Sequence, residues 1–519
     1  MSPWTPSEQQ PGIVSAEPWW RHHGFTENPF ALREAGREPR LSEYFVHGPD
    51  YDAIKGSPDD PQTAIVFAAR GCGKSAYRRM IQTSCRPDDD ESPVLAVPYT
   101  DFTDVLSAAR SPADVTMEMH VETLLGSAAV TLLRELLRRP ASFDYLPFES
   151  RAFFKWLTHT YAPRILRPLN LIEELKAVGE CLKIEERTMR DATRSHERFL
   201  EWLERLSMDG NRWARLLLNI LRTQPVPPPD RVMRNPAALV REFVDLARQS
   251  GLQGVYFLVD GLDEVRPTVS DPTAVADLVA PLLAELPLLE LPHAAFKFFL
   301  PAEAMAALRV RREVRLDRFP PHRLTWRDAD LAQMLRLRLM AFNERGIDSL
   351  GAISDEDIAG RIDRDIVEMA YGSPRRLLIL GDALFAAHAT RPGAGLLLNR
   401  QDWEEACRNF ERIFGPLVPP LRVDRERGKV FIGGEELPSR LSPMEFELLE
   451  FLYQAGGRLC SRYDILFALR ERLGEEDVMS DEAFDSLVLR LRRKIERHPS
   501  RPVYLITERG RGYRLKNIG

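Results

Sequence analysis

Short apolar runs alternate with long amphipathic stretches along this chain, and the alternation predicts an α/β fold. Four runs are almost continuously apolar, at residues 63–68, 94–98, 254–259 and 295–300. Such runs are typical of parallel strands that are buried on both faces. Residues 113–247 instead carry apolar side chains at helical spacing, as at Phe199, Trp202 and Leu206. The pattern therefore predicts a parallel sheet that is interrupted by a large helical region.

Segments rich in proline, glycine and polar residues interrupt these patterns and divide the chain further. Residues 328–343 and 355–387 predict more helices, and residues 421–437 alternate as in a small sheet. Proline-rich residues 416–420 predict a linker. The predicted parts are a flexible tail (1–20), an α/β core (21–325) with a helical insertion (about 105–247), a helical lid (326–415) and a separate C-terminal domain (421–519).

Composition narrows the class of protein. The net charge of −6 and the pI of about 6.0 exclude a surface that is uniformly basic. The five cysteines form no CxxC pair, so neither a zinc site nor a disulfide framework is predicted. There is no run of 18 apolar residues and no signal-peptide pattern at the N-terminus. We therefore expect a cytoplasmic protein with no membrane partner.

A glycine-rich turn follows the first apolar run. Residues 68–75 read AARGCGKS and match the phosphate-loop pattern GxxxxGK[ST] between a strand and a helix, with Ala68 in place of the first glycine. In that pattern backbone N–H groups hold phosphate oxygens, the lysine reaches the β- and γ-phosphates, and the serine ligates Mg²⁺. The residues predicted to bind ATP and Mg²⁺ here are Arg70, Gly71, Cys72, Gly73, Lys74 and Ser75.

Carboxylates follow the third apolar run, in the sequence GVYFLVDGLDE at residues 254–264. A phosphate loop needs a second strand that ends in a carboxylate for Mg²⁺, and Asp260 suits this role. Asp263 and Glu264 are the candidates to orient the attacking water, with Lys74 as the third catalytic residue. The sequence thus predicts a slow Mg²⁺-dependent ATPase.

The DGLDE segment resembles STAND-class and NACHT-type ATPases, which act as signalling switches. In the related AAA+ proteins a glutamate follows the aspartate, where this chain has Gly261. Residues 372–378 (GSPRRLL) resemble the GxPR motif of AAA+ lids, which implies that Arg375 or Arg376 contacts the γ-phosphate. Lys297 and Glu303 are weak candidates for a polar sensor after the fourth strand.

Two further features belong to this P-loop interpretation. Residues 24–32 (GFTENPFAL) resemble the Asn-Pro-Phe segment of ExeA-like ATPases, which lies near the adenine; a simple turn is the alternative. The separation of 186 residues from Lys74 to Asp260 implies the helical insertion, which is the candidate place for a protein partner or a sensor function.

The last 100 residues carry the most specific motifs: LSPMEF at 441–446, LRRK at 491–494 and RGRGYR at 509–514. They closely resemble the OmpR/PhoB-type effector domain, an α+β winged helix. The resemblance implies that the helix starting near Asp481 enters the major groove of DNA, while the terminal hairpin meets the minor groove or phosphates. Residues 481–519 hold 10 basic and five acidic side chains, so positive charge is concentrated there.

Helical spacing separates the two faces of that helix. Phe484, Val488, Leu491 and Ile495 are predicted to be core residues. Arg490 would read guanine, and the predicted DNA-binding residues are Ser486, Arg490, Arg492, Arg493, Lys494, Arg509, Arg511 and Arg514. Leu487 and Leu489 stand where the family usually has a histidine and a polar or basic residue. If both are exposed, they favour an alternative in which the winged helix docks a protein.

Together these patterns predict an ATP-dependent switch that controls a winged-helix DNA-binding domain, and so a transcriptional regulator, for which a homo-oligomer is one candidate state. Two alternatives remain open. One is a STAND-like sensor or scaffold of a bacterial defence system, whose winged helix senses DNA or docks a partner. The other is a DNA-remodelling or transposition ATPase, for which we expect vigorous DNA-stimulated turnover.

Overall fold

The computed structural model describes residues 18–48, 50–85, 94–179, 186–222, 225–269, 271–473 and 479–519. It forms two compact units: the sheet unit, residues 47–325, and the C-terminal unit, which combines residues 1–46 with 326–519. Most of the predicted tail lies outside the described residues. Its end is ordered, because Trp19 begins a 3₁₀ turn and packs on His388 with ring centroids 4.2 Å apart. A short helix, α1 (Leu41–Tyr44), follows in the same unit.

In the described residues, the sheet unit contains a parallel sheet in the order β2-β3-β4-β1-β5. Its strands are β1 (Ala64–Ala68), β2 (Leu95–Tyr99), β3 (Val255–Val259), β4 (Ala294–Pro301) and β5 (His322–Arg323). The four predicted strands are confirmed. Strand β5 was missed, because two residues are too short to show any periodicity.

The position of β4 decides where a ligand could bind. It lies between β1 and β3, with Val66 opposite Phe299 and Phe257 opposite Phe296. The carboxyl ends of β1, β4 and β3 therefore lie side by side at one edge of the sheet. Ligands of open parallel sheets bind in the crevice outside these carboxyl ends.

Helices surround this sheet and also form the predicted insertion. The helices of the sheet unit are α2 (Tyr51–Lys55), α3 (Lys74–Ser84), α4 (Thr103–Ala108), α5 (Met117–Arg138), α6 (Pro140–Tyr145), α7 (Phe148–Tyr161), α8 (Pro168–Ala177), α9 (Glu186–Ala192), α10 (His196–Met208), α11 (Arg212–Arg222), α12 (Asp230–Met233), α13 (Pro236–Gln249), α14 (Pro272–Ala284), α15 (Leu286–Leu289) and α16 (Ala304–Arg309). Helices α4 to α13 lie between β2 and β3, where the insertion was predicted.

The insertion is not a separate module, because α5 is part of the sheet's core. His120 on α5 is fully buried, and its Nδ1 lies 2.6 Å from the Tyr99 hydroxyl at the end of β2. Its Nε2 lies 2.7 Å from the Leu278 carbonyl of α14. Burial lowers the pKa of His120 to about 4, so the ring is neutral at pH 7. One neutral imidazole thus connects the sheet, the insertion and α14.

The C-terminal unit begins its second part with the lid helices, which are α17 (Asp328–Ala341), α18 (Glu356–Ala359), α19 (Ile362–Met369), α20 (Pro374–Thr390) and α21 (Arg400–Phe414). The helical segment predicted at residues 355–387 is broken between α19 and α20. Tyr371 and Gly372 adopt φ values of 53° and 78° there, a left-handed conformation that ends a helix.

The Asn28-Pro29-Phe30 segment is a turn packed into this lid. Phe30 is buried against Phe385, with ring centroids 5.2 Å apart. The Asn28 amide donates to Asp382 at 2.9 Å and its oxygen accepts from the Phe30 N–H at 2.9 Å. These contacts give the segment a structural role in the lid.

The end of the chain has the predicted winged-helix elements. They are β6 (Leu421–Asp424), β7 (Lys429–Ile432), β8 (Glu435–Glu436), α22 (Pro443–Gln454), α23 (Arg462–Leu473), α24 (Asp481–Ile495), β9 (Leu505–Glu508) and β10 (Gly512–Leu515). Strands β6 to β8 are antiparallel, and β9 and β10 form the hairpin. Ser442 and Glu445 form a capping box that starts α22. Among the described residues of the whole chain, no helix is both long and apolar enough to span a membrane.

Candidate nucleotide and nucleic-acid sites

The phosphate-loop segment forms the turn that leads from β1 into α3, at the carboxyl edge of the sheet. Gly71 and Gly73 have φ values of 86° and 91°, which other residues rarely adopt. Lys74 is the first residue of α3 and only 8% exposed. Its Nζ lies 3.4 Å from the Ala68 carbonyl oxygen and 3.4 Å from Asp263 Oδ2. The lysine therefore points back over the turn to a carboxylate.

The predicted Mg²⁺ ligand, Asp260, directly follows β3 and is 3% exposed. Its backbone N–H donates to the Tyr99 carbonyl at 3.2 Å. Next to it, Gly261 has a φ of 84°, and a Cβ there would lie 3.4 Å from the Thr100 carbonyl oxygen. This backbone conformation explains why no glutamate follows the aspartate here.

Sequence reasoning missed Arg78, which holds Asp260. The Arg78 Nε lies 3.2 Å from Asp260 Oδ2, and both side chains are largely buried. Arg78 is four residues after Lys74, so the two cations share one face of α3. That spacing was the available signal. The remaining predicted residues lie nearby in sequence: Ser75 and Asp263 are half-buried, whereas Arg70 and Glu264 are exposed.

Lys297 does not suit a sensor at this edge. Its Nζ donates to the carbonyl of Gln62, which precedes β1, so the side chain points toward the amino ends of the strands. The ammonium lies 4.9 Å from the centre of the Tyr256 ring, and burial lowers its pKa to about 7. Glu303 lies after β4, on the carboxyl side.

The two arginines of the GSPRR segment differ. Ser373 caps α20, and its side chain accepts the Arg376 N–H at 3.3 Å. The Arg376 guanidinium donates to the Leu417 carbonyl and lies 4.8 Å from the centre of the Phe410 ring. Within the described part of the chain, the half-buried Arg375 side chain makes no hydrogen bond or ion pair. Arg376 is thus engaged inside the C-terminal unit, and contact with nucleotide stays a prediction for both.

The same segment adjoins the winged helix. Arg497, just after α24, donates through Nε to Asp328 at 2.7 Å, and Arg501 donates to Glu368 at 2.7 Å. A side chain on Gly372 would collide with the Arg497 guanidinium. Asp328 also lies 2.8 Å from His498 Nε2. These contacts join the lid and the winged helix beside the predicted nucleotide-reporting motif.

Helix α24 has the predicted division into two faces, and its buried face includes one further residue. Phe484, Val488, Leu491 and Ile495 are buried as expected. Leu487 is 0% exposed and belongs to this buried face, so the protein-docking alternative, which needs both leucines exposed, has only Leu489 available. Leu489 is 45% exposed, as predicted.

The predicted DNA-binding residues fall into two groups. Three are held by partners within the domain: Arg492 donates to the Leu505 carbonyl and Thr507, Lys494 to the Arg440 carbonyl and Glu445, and Arg514 to Glu508. The side chains that are exposed are Ser486, Arg490 and Arg493 on α24, and Arg509 and Arg511 in the hairpin turn. Function on DNA would rest on this second group.

Comparison with known proteins addresses the C-terminal domain. Residues 434–515 match the family described as "Transcriptional regulatory protein, C terminal". The chain is 41% identical over 98 residues to Sensory transduction protein RegX3 of Mycolicibacterium smegmatis, covering 19% of this chain and 40% of that protein. It is 39% identical over 98 residues to Protein PetR of Rhodobacter capsulatus, covering 18% and 40%. The chain thus spans less than half the length of these curated relatives. The predicted OmpR/PhoB-type domain is confirmed at residues 434–515.

Proposed function

We propose that this chain is a transcriptional regulator whose winged helix binds DNA under the control of ATP. The observation that carries the proposal is the basic face of α24 and the hairpin. Arg490, Arg493, Arg509 and Arg511 are exposed, whereas Arg492, Lys494 and Arg514 are held by partners within the domain. Exposed arginines on a recognition helix and wing are suited to guanine edges and phosphates.

The phosphate-loop segment supports the ATP-dependent part. Two glycines in the left-handed region open an 11-residue helix, which gives N–H groups and a helix N-terminus for phosphates. Lys74 would hold the β- and γ-phosphates, and Ser75 and Asp260 would hold Mg²⁺. The metal would neutralise charge on the phosphates during hydrolysis. These residue types fit Mg²⁺ and ATP.

Ion pairs within the site suggest how nucleotide would act on the protein. Lys74 would exchange Asp263 for phosphate, and Arg78 would release Asp260. Asp263 or Glu264 would then orient a water for attack on the γ-phosphorus, yielding ADP and phosphate. Because ATP would change the partners of these buried groups, it would favour one conformation of the protein over another and shift the equilibrium between the two.

Two partner predictions accompany this proposal. The helical insertion would bind a protein, and it exposes Tyr145 at the end of α6 and Phe148 at the start of α7. Self-association in the ATP state would bring two winged helices to paired half-sites, as in other dimeric regulators.

The test is a titration of the full chain with genomic DNA fragments, against random competitor, with ATP, with ADP and without nucleotide. We expect selective, salt-sensitive binding that changes with nucleotide. Arg493→Ala should weaken binding and reduce the salt slope by about 1. Arg427→Ala is the matched control, because Arg427 is exposed in the β6–β7 turn of the same domain.

Each other outcome identifies a different function. Absence of binding in all three states would contradict the proposal and favour the sensor whose winged helix docks a protein. Selective DNA binding with the same affinity in all three nucleotide states would contradict the control by ATP and leave the DNA-binding function in place. Vigorous DNA-stimulated turnover that survives Arg490→Ala would favour the DNA-remodelling ATPase.

A further inference from the structure

The outward face of α24 contains one large apolar side chain. Leu489 is 45% exposed, and its neighbours on this face are Asp485, Ser486, Arg490 and Arg493. Residues separated by three or four positions share one side of a helix. Leu489 therefore lies at the centre of the exposed stripe, with arginines on the side toward the helix C-terminus.

The core does not require a leucine at this position. Phe484, Leu487, Val488 and Leu491 already form the buried stripe of α24. A single exposed leucine is unremarkable on a general surface. Here it occupies a face whose other large side chains are charged or polar, so its chemistry matters for whatever that face contacts.

The edge of DNA in the major groove offers one apolar group, the C5 methyl of thymine. Basic charge lies on the C-terminal side of Leu489, at Arg490 and Arg493, while Asp485 on its N-terminal side is paired with Arg462. Residues 481–519 as a whole hold 10 basic and five acidic side chains, which favours DNA over an apolar protein surface. Arg509 and Arg511 in the hairpin turn extend that charge beyond the helix. A leucine flanked in this way can contact a methyl while the arginines bind phosphates or guanine.

We propose that Leu489 is a specificity-determining residue that contacts a thymine methyl, next to the base pair that Arg490 reads. This inference rests on the proposed DNA-binding function. It predicts that each half-site of the DNA contains one thymine whose methyl group, and not only its base pairing, is needed for full affinity.

The experiment begins by selecting bound sequences from a random duplex pool with the full chain, in the nucleotide state that binds best. Each thymine of the selected site is then replaced by deoxyuridine, which keeps the base pair and removes only the methyl. We expect one position in each half-site at which the wild-type affinity falls about fourfold, the effect of one buried methyl.

Variants assign that methyl to its partner. Leu489→Ala should bind thymine and deoxyuridine equally at that position, whereas Leu397→Ala should behave as the wild type. Leu397 is also 45% exposed but lies in the lid, between α20 and α21. Because both leucines are exposed, neither substitution should change the thermal unfolding temperature.

Two results would overturn the inference in distinguishable ways. A selected site that tolerates every deoxyuridine, or whose sensitivity persists in Leu489→Ala, removes the role of Leu489 and leaves DNA binding intact. Failure to select any sequence in any nucleotide state removes the DNA-binding function itself, and the inference with it.

Discussion

The predicted phosphate loop and the predicted recognition helix α24 both carry clustered charge, but they hold it differently. At the phosphate loop, Lys74 pairs with Asp263 and Arg78 pairs with Asp260, all inside the sheet unit. On α24, Arg490 and Arg493 extend into solvent. A ligand at the first site must exchange partners with buried groups, whereas a ligand at the second meets solvated charges.

This difference has consequences for energy and for salt. Removing one member of a buried ion pair leaves its partner desolvated, which costs free energy. The affinity of a ligand at the loop is therefore the difference between the free energy of its new contacts and the free energy lost when the ion pairs open. Exposed arginines break no internal ion pair when they bind a ligand. On DNA they would release counterions, so their contribution to DNA affinity should fall as the salt concentration rises. We therefore expect strong, salt-tolerant effects at the loop and moderate, salt-dependent effects at the helix.

The largest effect is expected for Lys74→Ala. Loss of the ammonium removes the charged contact to phosphates, and Mg²⁺–ATP affinity should fall on the order of 100-fold. Titration with a fluorescent ATP analogue measures this. Lys55→Ala is the control, because Lys55 ends the short helix α2 of the same unit. Unchanged affinity in Lys74→Ala, with the fold intact by circular dichroism, would show that the loop does not bind nucleotide.

A second effect concerns pH and the sheet below the loop. The pKa of His120 is about 4 in the folded chain and about 6.5 when unfolded, so protonation favours unfolding. Stability is therefore full above pH 6.5 and should fall by about 1.4 kcal/mol per pH unit between 6.5 and 4. Urea unfolding of wild type and His120→Gln at pH 7.5 and 5.0 tests this. The stability difference between them should shrink by about 2 kcal/mol at the lower pH; a constant difference would contradict it.

Adjacent arginines on α24 provide the third test. Arg492 binds the Leu505 carbonyl and Thr507, and burial lowers its pKa, whereas Arg493 is exposed. Arg492→Ala should lower the free energy of unfolding by about 1–2 kcal/mol. Arg493→Ala should change stability by less than about 0.5 kcal/mol and weaken DNA binding instead. Equal losses of stability in both variants would erase the distinction between the two groups of arginines.

The sequence was informative where local backbone chemistry decides the structure. The glycines before Lys74 and the hairpin around Gly510 act over a few residues, and both elements were predicted near their observed places. The four long strands were predicted for the same reason, since apolar runs report burial directly.

What the sequence could not supply were partners that are distant along the chain. Arg78 meets Asp260 across 182 residues, and Arg492 meets the Leu505 carbonyl across 13. The four-residue spacing of Lys74 and Arg78 places both cations on one face of α3 but does not identify the partner of either. No spacing on α24 identifies the partners of its arginines, so the held and the exposed arginines looked alike. The burial of Leu487 was likewise not predicted, because residue spacing along α24 does not show how wide a face its neighbours cover.

The smallest effect is expected where the lid meets the winged helix. Asp328→Asn combined with Glu368→Gln removes the ion pairs to Arg497 and Arg501. Partly exposed pairs contribute up to about 1 kcal/mol each, so the ratio of DNA affinities with and without ATP should shrink about threefold. Nucleotide binding and DNA binding without nucleotide should persist, because neither substitution touches the loop or the exposed face of α24.

Glu404→Gln is the matched control for that variant. It removes an acidic partner from the exposed Arg400 pair on α21 and leaves the contacts to the winged helix in place. If the double variant keeps the full ratio, the two ion pairs only fix the domain in position. If the ratio shrinks while Glu404→Gln keeps it, the coupling passes through the lid, since the two ends of the switch are unchanged and only the connection between lid and winged helix has been altered.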